Sequence, residues 1–343
     1  MTTRRMQVVL AAGAAVAAIA LWRHGQARAA ERANPPKGRF IDVDGVRLHV
    51  LERGRSTAPP VVVLHGNGAT IEDIEASGLL DALARDHRVI VFDRPGFGHT
   101  SRPRLSLWTA EAQAGLIADA LGHLGVERPV VAGHSWGALT AAALAITRPE
   151  AVSALALLSW FFFPTARADV ALFSLPAIPG PGDLFRYTVG PTLVAAMEPY
   201  LLHRVFEPQE VPVAFQREYP HPLAYRPIQI RASTEDTAFM IPSAAAFAAR
   251  YREIAVPTLI MAGDEDRIVD MSTQSAAIHR EIAGSDFRIL RGLGHMIHHF
   301  AADEIAGAIA DLSRGVRSGE KASPPPLTAK RAGVTAAPAI HAG

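Results

Sequence analysis

The sequence predicts an α/β protein with a doubly wound, mostly parallel sheet of eight strands and a helical cap inserted late in the chain. Three observations support this prediction. Short apolar, β-branched runs recur between residues 39 and 291. Helical patterns lie between most of these runs. One long, proline-rich interval interrupts the alternation, and it is the expected position of the cap.

The predicted strands share a short, apolar, β-branched character. In order they read "RFIDVD", "VRLHVLE", "VVVLH", "RVIVFD", "PVVAGH", "ALALLSW", "PTLIMAG" and "FRILR". The first two meet at Asp44-Gly45, which favours a hairpin. The later runs are continuously apolar, as expected for parallel strands that are buried on both faces.

The predicted helices show apolar residues at helical spacing. In "WTAEAQAGLIADALGHLG", Thr109 can cap the helix and Gly125 can end it. "LTAAALAITRPE" follows a strand and stops before Pro149, and "AAIHREIAG" and "DEIAGAIADL" lie near the end. The interval between "ALALLSW" and "PTLIMAG" holds 12 prolines from Pro164 to Pro242 and no strand run. It predicts short helices broken by proline, because a structureless loop of that length is improbable.

Both ends of the chain differ from the middle. Arg4 and Arg5 precede an uncharged apolar run from Met6 to Trp22, and small residues at Ala27 to Ala29 could form a cleavage site. This pattern predicts an export signal or an uncleaved membrane anchor, with a bacterial periplasmic or inner-membrane location. An Ala-rich extension that stays out of the membrane is the alternative. From about Gly315 the chain is rich in Ser, Pro, Ala, Gly and Lys, which predicts a disordered tail.

Composition narrows the classes of function. The chain has 343 residues, 49% of them hydrophobic and 20% charged, and a formal net charge of +1. No long charge run indicates a nucleic-acid surface. The chain contains no cysteine, which excludes disulfides, thiolate catalysis and Cys-ligated metals.

The strongest motif is "VVAGHSWGALT", which contains G-x-S-x-G between an apolar run and a helical run. This context predicts a nucleophile elbow, in which Gly133 and Gly137 permit a tight turn and Ser135 presents its hydroxyl. The plainer alternative is a serine that caps a helix beside two turn glycines.

A serine nucleophile needs a base and an acid that orients the base. In "RGLGHMIHHF", His295 follows a predicted strand through a glycine-rich loop and is the predicted base, whereas His298 and His299 should cap or face the next helix. The three histidines could also suggest a metal site, but H-E-x-x-H is absent from the sequence, and we predict neither a metal nor a cofactor.

The oxyanion hole requires backbone N–H groups that point at developing negative charge. Trp136, the residue after the nucleophile, should supply one. Asn67 in "VVVLHGNGAT" should supply the other, because the flanking Gly66 and Gly68 allow a close approach to substrate. "FDRPGFGHTSRP" lacks the third glycine of a dinucleotide fingerprint, and we interpret it as a structural loop.

With these motifs in place, the chain resembles the α/β-hydrolase superfamily, in particular its capped serine hydrolase branch, over about residues 39–312. The resemblance implies that residues 36–160 and 251–314 form the α/β-hydrolase core and residues 161–250 the cap. The patterns at the two ends add a signal or anchor and linker at 1–35 and a disordered tail at 315–343. Dehalogenases and epoxide hydrolases in this branch carry Asp at the elbow, so Ser135 disfavours both reactions. C–C bond hydrolases usually show "HGxGPG", which differs from "HGNGAT" here.

The triad acid should lie in "AGDEDRIVD", the loop after "PTLIMAG". The family pattern G-x-x-D followed by an apolar pair selects Asp266, with Asp264 as the alternative. Glu265 should be solvated, and Asp270 could cap a following helix.

The resemblance implies hydrolysis of a small-molecule ester with an apolar portion, or of a lactone or amide, through an acyl-enzyme on Ser135. Phe161, Phe162 and Phe163 could line an apolar pocket or pack in the core. Cofactor-free perhydrolysis or haloperoxidase-like activity with the same residues is an alternative, and non-catalytic ligand binding is another. Membrane contact through residues 6–22 is the further partner that the sequence suggests.

Overall fold

A computed structural model describes residues 3–318 of the chain. The predicted fold class is confirmed: eight strands form one mostly parallel sheet in the order β1-β2-β4-β3-β5-β6-β7-β8. The first two strands form an antiparallel hairpin, and β2 also pairs antiparallel with β4. All other neighbouring strands are parallel. The strands are β1 Arg39–Val43, β2 Val46–Arg53, β3 Pro60–Leu64, β4 Arg88–Phe92, β5 Val130–His134, β6 Ala154–Leu158, β7 Thr258–Gly263 and β8 Asp286–Leu290.

Helices of the core cover both faces of the sheet and bury it in two apolar clusters. Helices α4 (Ala110–His123) and α5 (Trp136–Thr147) pack together on one face. Helices α3 (Leu79–Ala84) and α13 (Ala302–Ser318) pack together on the other. The central strands β5 and β6 are buried at every position, as strands covered on both faces should be. The helices of the core are α2 Ile71–Ala76, α3 Leu79–Ala84, α4 Ala110–His123, α5 Trp136–Thr147, α12 Ser275–Glu281 and α13 Ala302–Ser318.

The interval between β6 and β7 contains helices and no strand, but its helices are not all short. They are α6 Ala168–Ser174, α7 Pro181–Tyr187, α8 Gly190–Phe206, α9 Val213–Glu218, α10 His221–Ala224 and α11 Pro227–Ala248. Two of them continue through an internal proline, Pro199 in α8 and Pro242 in α11. The expectation of short helices broken by proline is therefore wrong for α8 and α11. Packing of α11 against α5, α6, α7 and α8 offsets the hydrogen bond that a proline removes.

The N-terminal segment forms a single helix, α1 (Thr3–Ala33). Within residues 3–318 it alone is long and apolar enough to cross a membrane by length and composition, with a mean hydropathy of 1.7 in its most apolar window. Its C-terminal part contacts the cap, since Arg23 Nε donates to Thr188 O at 3.0 Å and Glu31 lies 2.7 Å from Arg226.

The C-terminal helix runs four residues past the boundary that the sequence suggested. Residues 315–318 continue α13, and Val316 packs against the core cluster on that face of the sheet. The rest of the predicted tail, residues 319–343, lies outside the described residues.

Candidate active site

Ser135 stands at a strained turn between β5 and α5. Its backbone φ is +52°, a left-handed value that is unusual for a residue other than glycine. The turn leaves no room beside it: a Cβ on Gly133 would lie 2.2 Å from Gly137 O, and one on Gly137 would lie 2.1 Å from Leu64 O. The two motif glycines are thus required by close backbone contacts, and the strain holds Ser135 at the carboxyl edge of the sheet.

Three side chains from three loops form one hydrogen-bond chain. Ser135 Oγ lies 3.1 Å from His295 Nε2, and His295 Nδ1 lies 2.8 Å from Asp266 Oδ2. The second carboxylate oxygen of Asp266 accepts the backbone N–H groups of Ile268 and Val269 at 2.8 and 2.9 Å. The Asp266 side chain is 2% exposed. The carboxylate is thereby fixed in an orientation that favours a proton on His295 Nδ1 and leaves Nε2 free to accept one from serine.

The remaining acids of the same loop have other partners. Asp264 accepts the backbone N–H of Gly292 at 2.6 Å, which joins the β7 and β8 loops. Glu265 is exposed. Asp270 is also exposed and accepts the backbone N–H of Thr273 at 2.8 Å within a turn. Helix α12 begins only at Ser275, so Asp270 does not cap it. Of the four acids, the structure places only Asp266 against His295.

The two predicted oxyanion donors lie on elements that flank Ser135. Trp136 is the first residue of α5, so its backbone N–H has no acceptor within the helix. Asn67 follows β3, and its side-chain Nδ2 donates to Ser233 O at 3.2 Å and to Thr237 Oγ1 at 3.1 Å, both on α11. The side chain of Asn67 therefore fixes the loop to the cap, while its backbone N–H remains the candidate donor to substrate.

A second contact ties the same loop to the cap. The hydroxyl of Tyr219 donates to Gly68 O at 2.5 Å. The loop after β3 is thus held at consecutive residues by two different cap segments, and the position of the candidate oxyanion donor depends on the cap.

Arg94 holds this loop in place through hydrogen bonds from its side chain. The sequence suggested only that this residue was part of a structural turn. Its side chain is 1% exposed. Nε donates to His65 O at 2.9 Å, and the two terminal nitrogens donate to Gly66 O at 2.8 Å and to Asp236 of α11 at 2.7 Å. Sequence reasoning missed this role, and its only signal was a charged residue at the end of a buried strand.

His65 is neutral in this environment. Burial, assisted by the charge of Arg94, lowers the pKa of His65 to about 4. The backbone N–H of Arg94 donates to His65 Nε2 at 2.9 Å, and Nδ1 lies 2.8 Å from Gly66 O. An unprotonated Nε2 is needed to accept the first of these bonds, so the geometry and the lowered pKa agree.

His298 and His299 contact Asp73 of α2, a residue that the sequence did not single out. Their Nε2 atoms lie 3.0 and 2.9 Å from the two carboxylate oxygens, and all three side chains are completely buried. Burial opposes ionisation of Asp73, but the two histidines hold its pKa well below the ordinary value. Next to His298, His134 Nε2 lies 3.0 Å from the backbone oxygen of His295. This cluster fixes the loop that carries His295 against the helix that follows the oxyanion loop.

The residues of this cluster, two histidines and an aspartate, are of types that can ligate a metal ion. Histidines that ligate metals almost always donate their other ring N–H to an acceptor. The Nδ1 atoms of His298 and His299 are buried and have no partner among the described residues. Their Nε2 distances to Asp73 are ordinary hydrogen-bond lengths. The donor set fits two hydrogen bonds to a carboxylate better than it fits a metal.

The three consecutive phenylalanines lie mainly in the core. Phe161 and Phe162 are buried in the larger apolar cluster, and Phe163 packs against it. The rings of Phe162 and Phe163 both meet Tyr251 edge-on, with centroids 5.8 and 5.5 Å away. These contacts correspond to the core-packing alternative.

The strand order and the strained serine define the class of protein, and comparison with known families gives the same class. A family model described as the alpha/beta hydrolase fold matches residues 59–302, more than half of the chain. The chain therefore belongs to the alpha/beta hydrolase fold family.

Sequence relatives in this family have diverse activities. A 2-hydroxy-6-oxo-2,4-heptadienoate hydrolase of Pseudomonas putida is 25% identical over 77% of this chain and 91% of its own length. The acetyltransferase component of the acetoin cleaving system of Cupriavidus necator is 38% identical over 35% of this chain and 31% of its own length. A proline iminopeptidase of Heyndrickxia coagulans is 36% identical over 34% of this chain and 40% of its own length. The last two matches span less than half of each relative.

Solved structures share the fold over most of the chain. A membrane phospholipase A described as a bacterial virulence factor has a TM-score of 0.64 and 24% identity, covering 92% of this chain and 99% of that one. An esterase of Thermogutta terrifontis has a TM-score of 0.65 and 22% identity, covering 81% of this chain and 99% of that one. At these identities the likeness concerns the fold.

Proposed function

We propose that this chain is a serine hydrolase that cleaves an ester with an apolar portion through an acyl-enzyme on Ser135. The observation that carries the proposal is the continuous hydrogen-bond chain from Ser135 through His295 to Asp266, with the serine held at a φ of +52°. One structural neighbour with the same fold is an esterase.

In the acylation step, Ser135 Oγ attacks the ester carbonyl carbon while His295 Nε2 takes the hydroxyl proton. Asp266 accepts the Nδ1–H and stabilises the imidazolium. The backbone N–H groups of Trp136 and Asn67 bind the oxyanion, and loss of one such donor typically costs about 10²–10³ in rate. The tetrahedral intermediate collapses, and the alcohol leaves with the proton from His295.

In the deacylation step, His295 removes a proton from water, and the resulting hydroxide adds to the acyl carbon. Collapse of this second intermediate releases the carboxylic acid, and Ser135 Oγ recovers its proton from His295. Each proton that the histidine takes up is returned, so the cycle ends with the enzyme in its starting state.

Labelling with a fluorophosphonate probe tests this proposal. We expect the full-length protein to be labelled, Ser135→Ala to be unlabelled and His295→Ala to be labelled far more slowly. Ser153→Ala is the matched control, because Ser153 precedes β6 at the opposite edge of the sheet. A folded wild-type protein that resists labelling would rule out the proposal.

We also propose that α1 is a retained membrane anchor. An α-helix of 31 residues spans roughly 46 Å, more than the roughly 30 Å hydrocarbon core. The part beyond the apolar run is docked, since Arg23 bonds to Thr188 and Glu31 pairs with Arg226. Cleavage at Ala27 to Ala29 would cut through this docked part. The test is the mass of the protein extracted from membranes, in which an intact N-terminus supports an anchor and a start near residue 30 contradicts it.

A further inference from the structure

The cap and the adjoining 104–107 loop carry an exposed apolar face beside the point where α1 reaches the cap. Six large apolar residues on the 104–107 loop, the 175–178 segment, α7 and the start of α8 are largely exposed. We call this set the cap apolar face; it consists of Leu107, Leu175, Ile178, Leu184, Val189 and Leu193. Single exposed leucines are ordinary, but a contiguous apolar patch indicates a surface that meets another apolar phase.

Contacts between the segments that carry these residues place them in one region of the surface. Leu107, Leu175 and Ile178 line one cavity of about 500 Å³, together with charged residues that include Arg104 and Asp183. Arg104 and Asp183 form an ion pair at 2.8 Å that holds the 104–107 loop against α7. Helix α7 in turn packs against α8 and α1. The cap apolar face therefore extends from the loop to the docked part of the N-terminal helix.

The end of the apolar run of α1 locates the membrane surface relative to this face. The Arg23 guanidinium lies 4.4 Å from the centroid of the Trp22 ring. Trp and Arg at the end of an apolar helix are typical of the boundary between hydrocarbon and water. Arg23 donates to Thr188 O at 3.0 Å and also contacts Thr192 Oγ1. Val189 and Leu193 are 60% and 46% exposed and lie beside these contacts, at the level of the boundary.

We propose that the cap apolar face rests on the lipid bilayer and that the substrate is an ester lipid of that bilayer. This inference rests on the proposed anchor and on the proposed hydrolase activity. We assign the bilayer as the partner of this face because the anchor and the face meet the membrane surface at the same level. Membrane insertion of α1 therefore brings the face to the acyl chains. Burial of its leucines, isoleucine and valine in the bilayer then adds to the affinity supplied by α1.

Site-specific fluorescence tests the position of the face. The chain contains no cysteine, so single cysteines at Leu184 and Leu193 can be labelled with an environment-sensitive dye in the full chain. The protein is reconstituted in phosphatidylcholine–phosphatidylglycerol vesicles that contain a doxyl-labelled lipid. Val213→Cys is the control, because Val213 is an equally apolar, exposed cap residue on α9, which packs against α2. Leu10→Cys reports separately on insertion of α1.

We expect the doxyl lipid to quench the dye at Leu184 and Leu193 and not at Val213. Quenching at Leu10 alone would overturn the inference and leave the anchor intact. Absence of quenching at all four positions would overturn the inference and the anchor together. A blue shift at Leu184 and Leu193 without quenching would mean that protein covers the face, which would also overturn the inference.

Activity measurements test the substrate class. In Val189→Glu/Leu193→Glu, hydrolysis of phospholipid in vesicles should fall about tenfold or more, because two apolar contacts with the bilayer are replaced by charges. Its kcat/KM for a soluble short-chain ester should stay unchanged, and Val213→Glu should change neither activity. Equal loss on both substrates, or no loss on vesicles, would contradict the inference. No activity of the wild type on either substrate would instead remove the proposed hydrolase function.

Discussion

The Arg94 guanidinium and the Asp236 carboxylate form an ion pair at 2.7 Å, with 1% and 0% of their side chains exposed. The pair joins the loop below the proposed oxyanion hole to the longest helix of the cap, α11. Because Arg94 also donates to the backbone oxygens of His65 and Gly66, the pair acts on the geometry of the site as well as on stability.

Removal of one partner of this pair should destabilise the fold strongly. Asp236→Ala leaves a buried guanidinium without its counter-charge, and such a change typically costs about 3–5 kcal/mol. The exposed pair of Arg85 and Asp303 is the matched control, and Asp303→Ala should cost at most about 1 kcal/mol. Urea unfolding of both variants measures the difference, and similar losses in the two would contradict the expectation.

Within the acidic loop, only one carboxylate should matter for turnover. Asp266→Asn keeps the shape of the side chain but favours the wrong tautomer of His295, so kcat should fall by about 10³–10⁴. Asp264→Asn alters a bond to the backbone of Gly292, and activity should change little. Ester hydrolysis at saturating substrate measures both. Full activity in Asp266→Asn together with loss in Asp264→Asn would reverse the assignment.

Buried histidines should make the fold sensitive to mild acid. Burial lowers the pKa of His65 to about 4 and also lowers the pKa of His134 and of His298. A histidine with a lower pKa in the folded state binds fewer protons there than in the unfolded chain. The stability that such a histidine contributes is therefore fully present above its pKa in the unfolded chain, near 6.5. It falls as the pH drops toward its pKa in the folded state. We expect Tm to decrease steadily from about pH 6.5 to pH 5.

The contribution of His65 can be isolated. In His65→Gln the side chain no longer titrates, so the decrease in Tm between pH 6.5 and pH 5 should be smaller than in the wild type. His123 is exposed on α4, and His123→Gln should leave the decrease unchanged. Thermal unfolding followed by circular dichroism measures both slopes. An unchanged slope in His65→Gln would show that this histidine does not carry the acid sensitivity.

The elbow glycines should tolerate no side chain. In Gly137→Ala the new Cβ would meet Leu64 O at 2.1 Å, a backbone atom that cannot move without disturbing β3. We expect a loss of more than about 3 kcal/mol, above the usual range for overpacking. Gly122 on α4 has open space around it, and Gly122→Ala should stabilise the protein by about 0.5–1 kcal/mol. Denaturant unfolding compares the two, and a stable Gly137→Ala would contradict the clash.

Local pattern was sufficient to predict the sheet and the proposed catalytic positions. Strands such as β5 and β6 are continuous apolar runs, and their burial follows from that composition. The positions of Ser135, His295 and Asp266 follow from motifs that each lie just after a strand, because the carboxyl ends of parallel strands meet at one edge.

Long-range pairing of buried polar groups could not be predicted in this way. Asp73 lies 225 residues from His298, and nothing near Asp73 in the sequence marks it as their partner. Likewise, the local sequence around Arg94 indicates only a turn, and the packing of α11 is what brings Asp236 next to it. The lengths of α8 and α11 were also missed, because the effect of an internal proline depends on tertiary packing that the local sequence does not contain.

The bonds from Asn67 to α11 and from Tyr219 to Gly68 have a consequence for the timing of catalysis. A displacement of the cap away from the loop after β3 would break these bonds and release the loop that holds the proposed oxyanion donor. The site could then admit a large substrate or cleave its ester bond, but it could not do both at the same time. We therefore expect a slower first turnover for long-chain than for short-chain esters in a stopped-flow burst experiment, and equal rates would contradict this coupling. Such an enzyme would be inert while open and would become reactive only after its cap had closed over the bound ester.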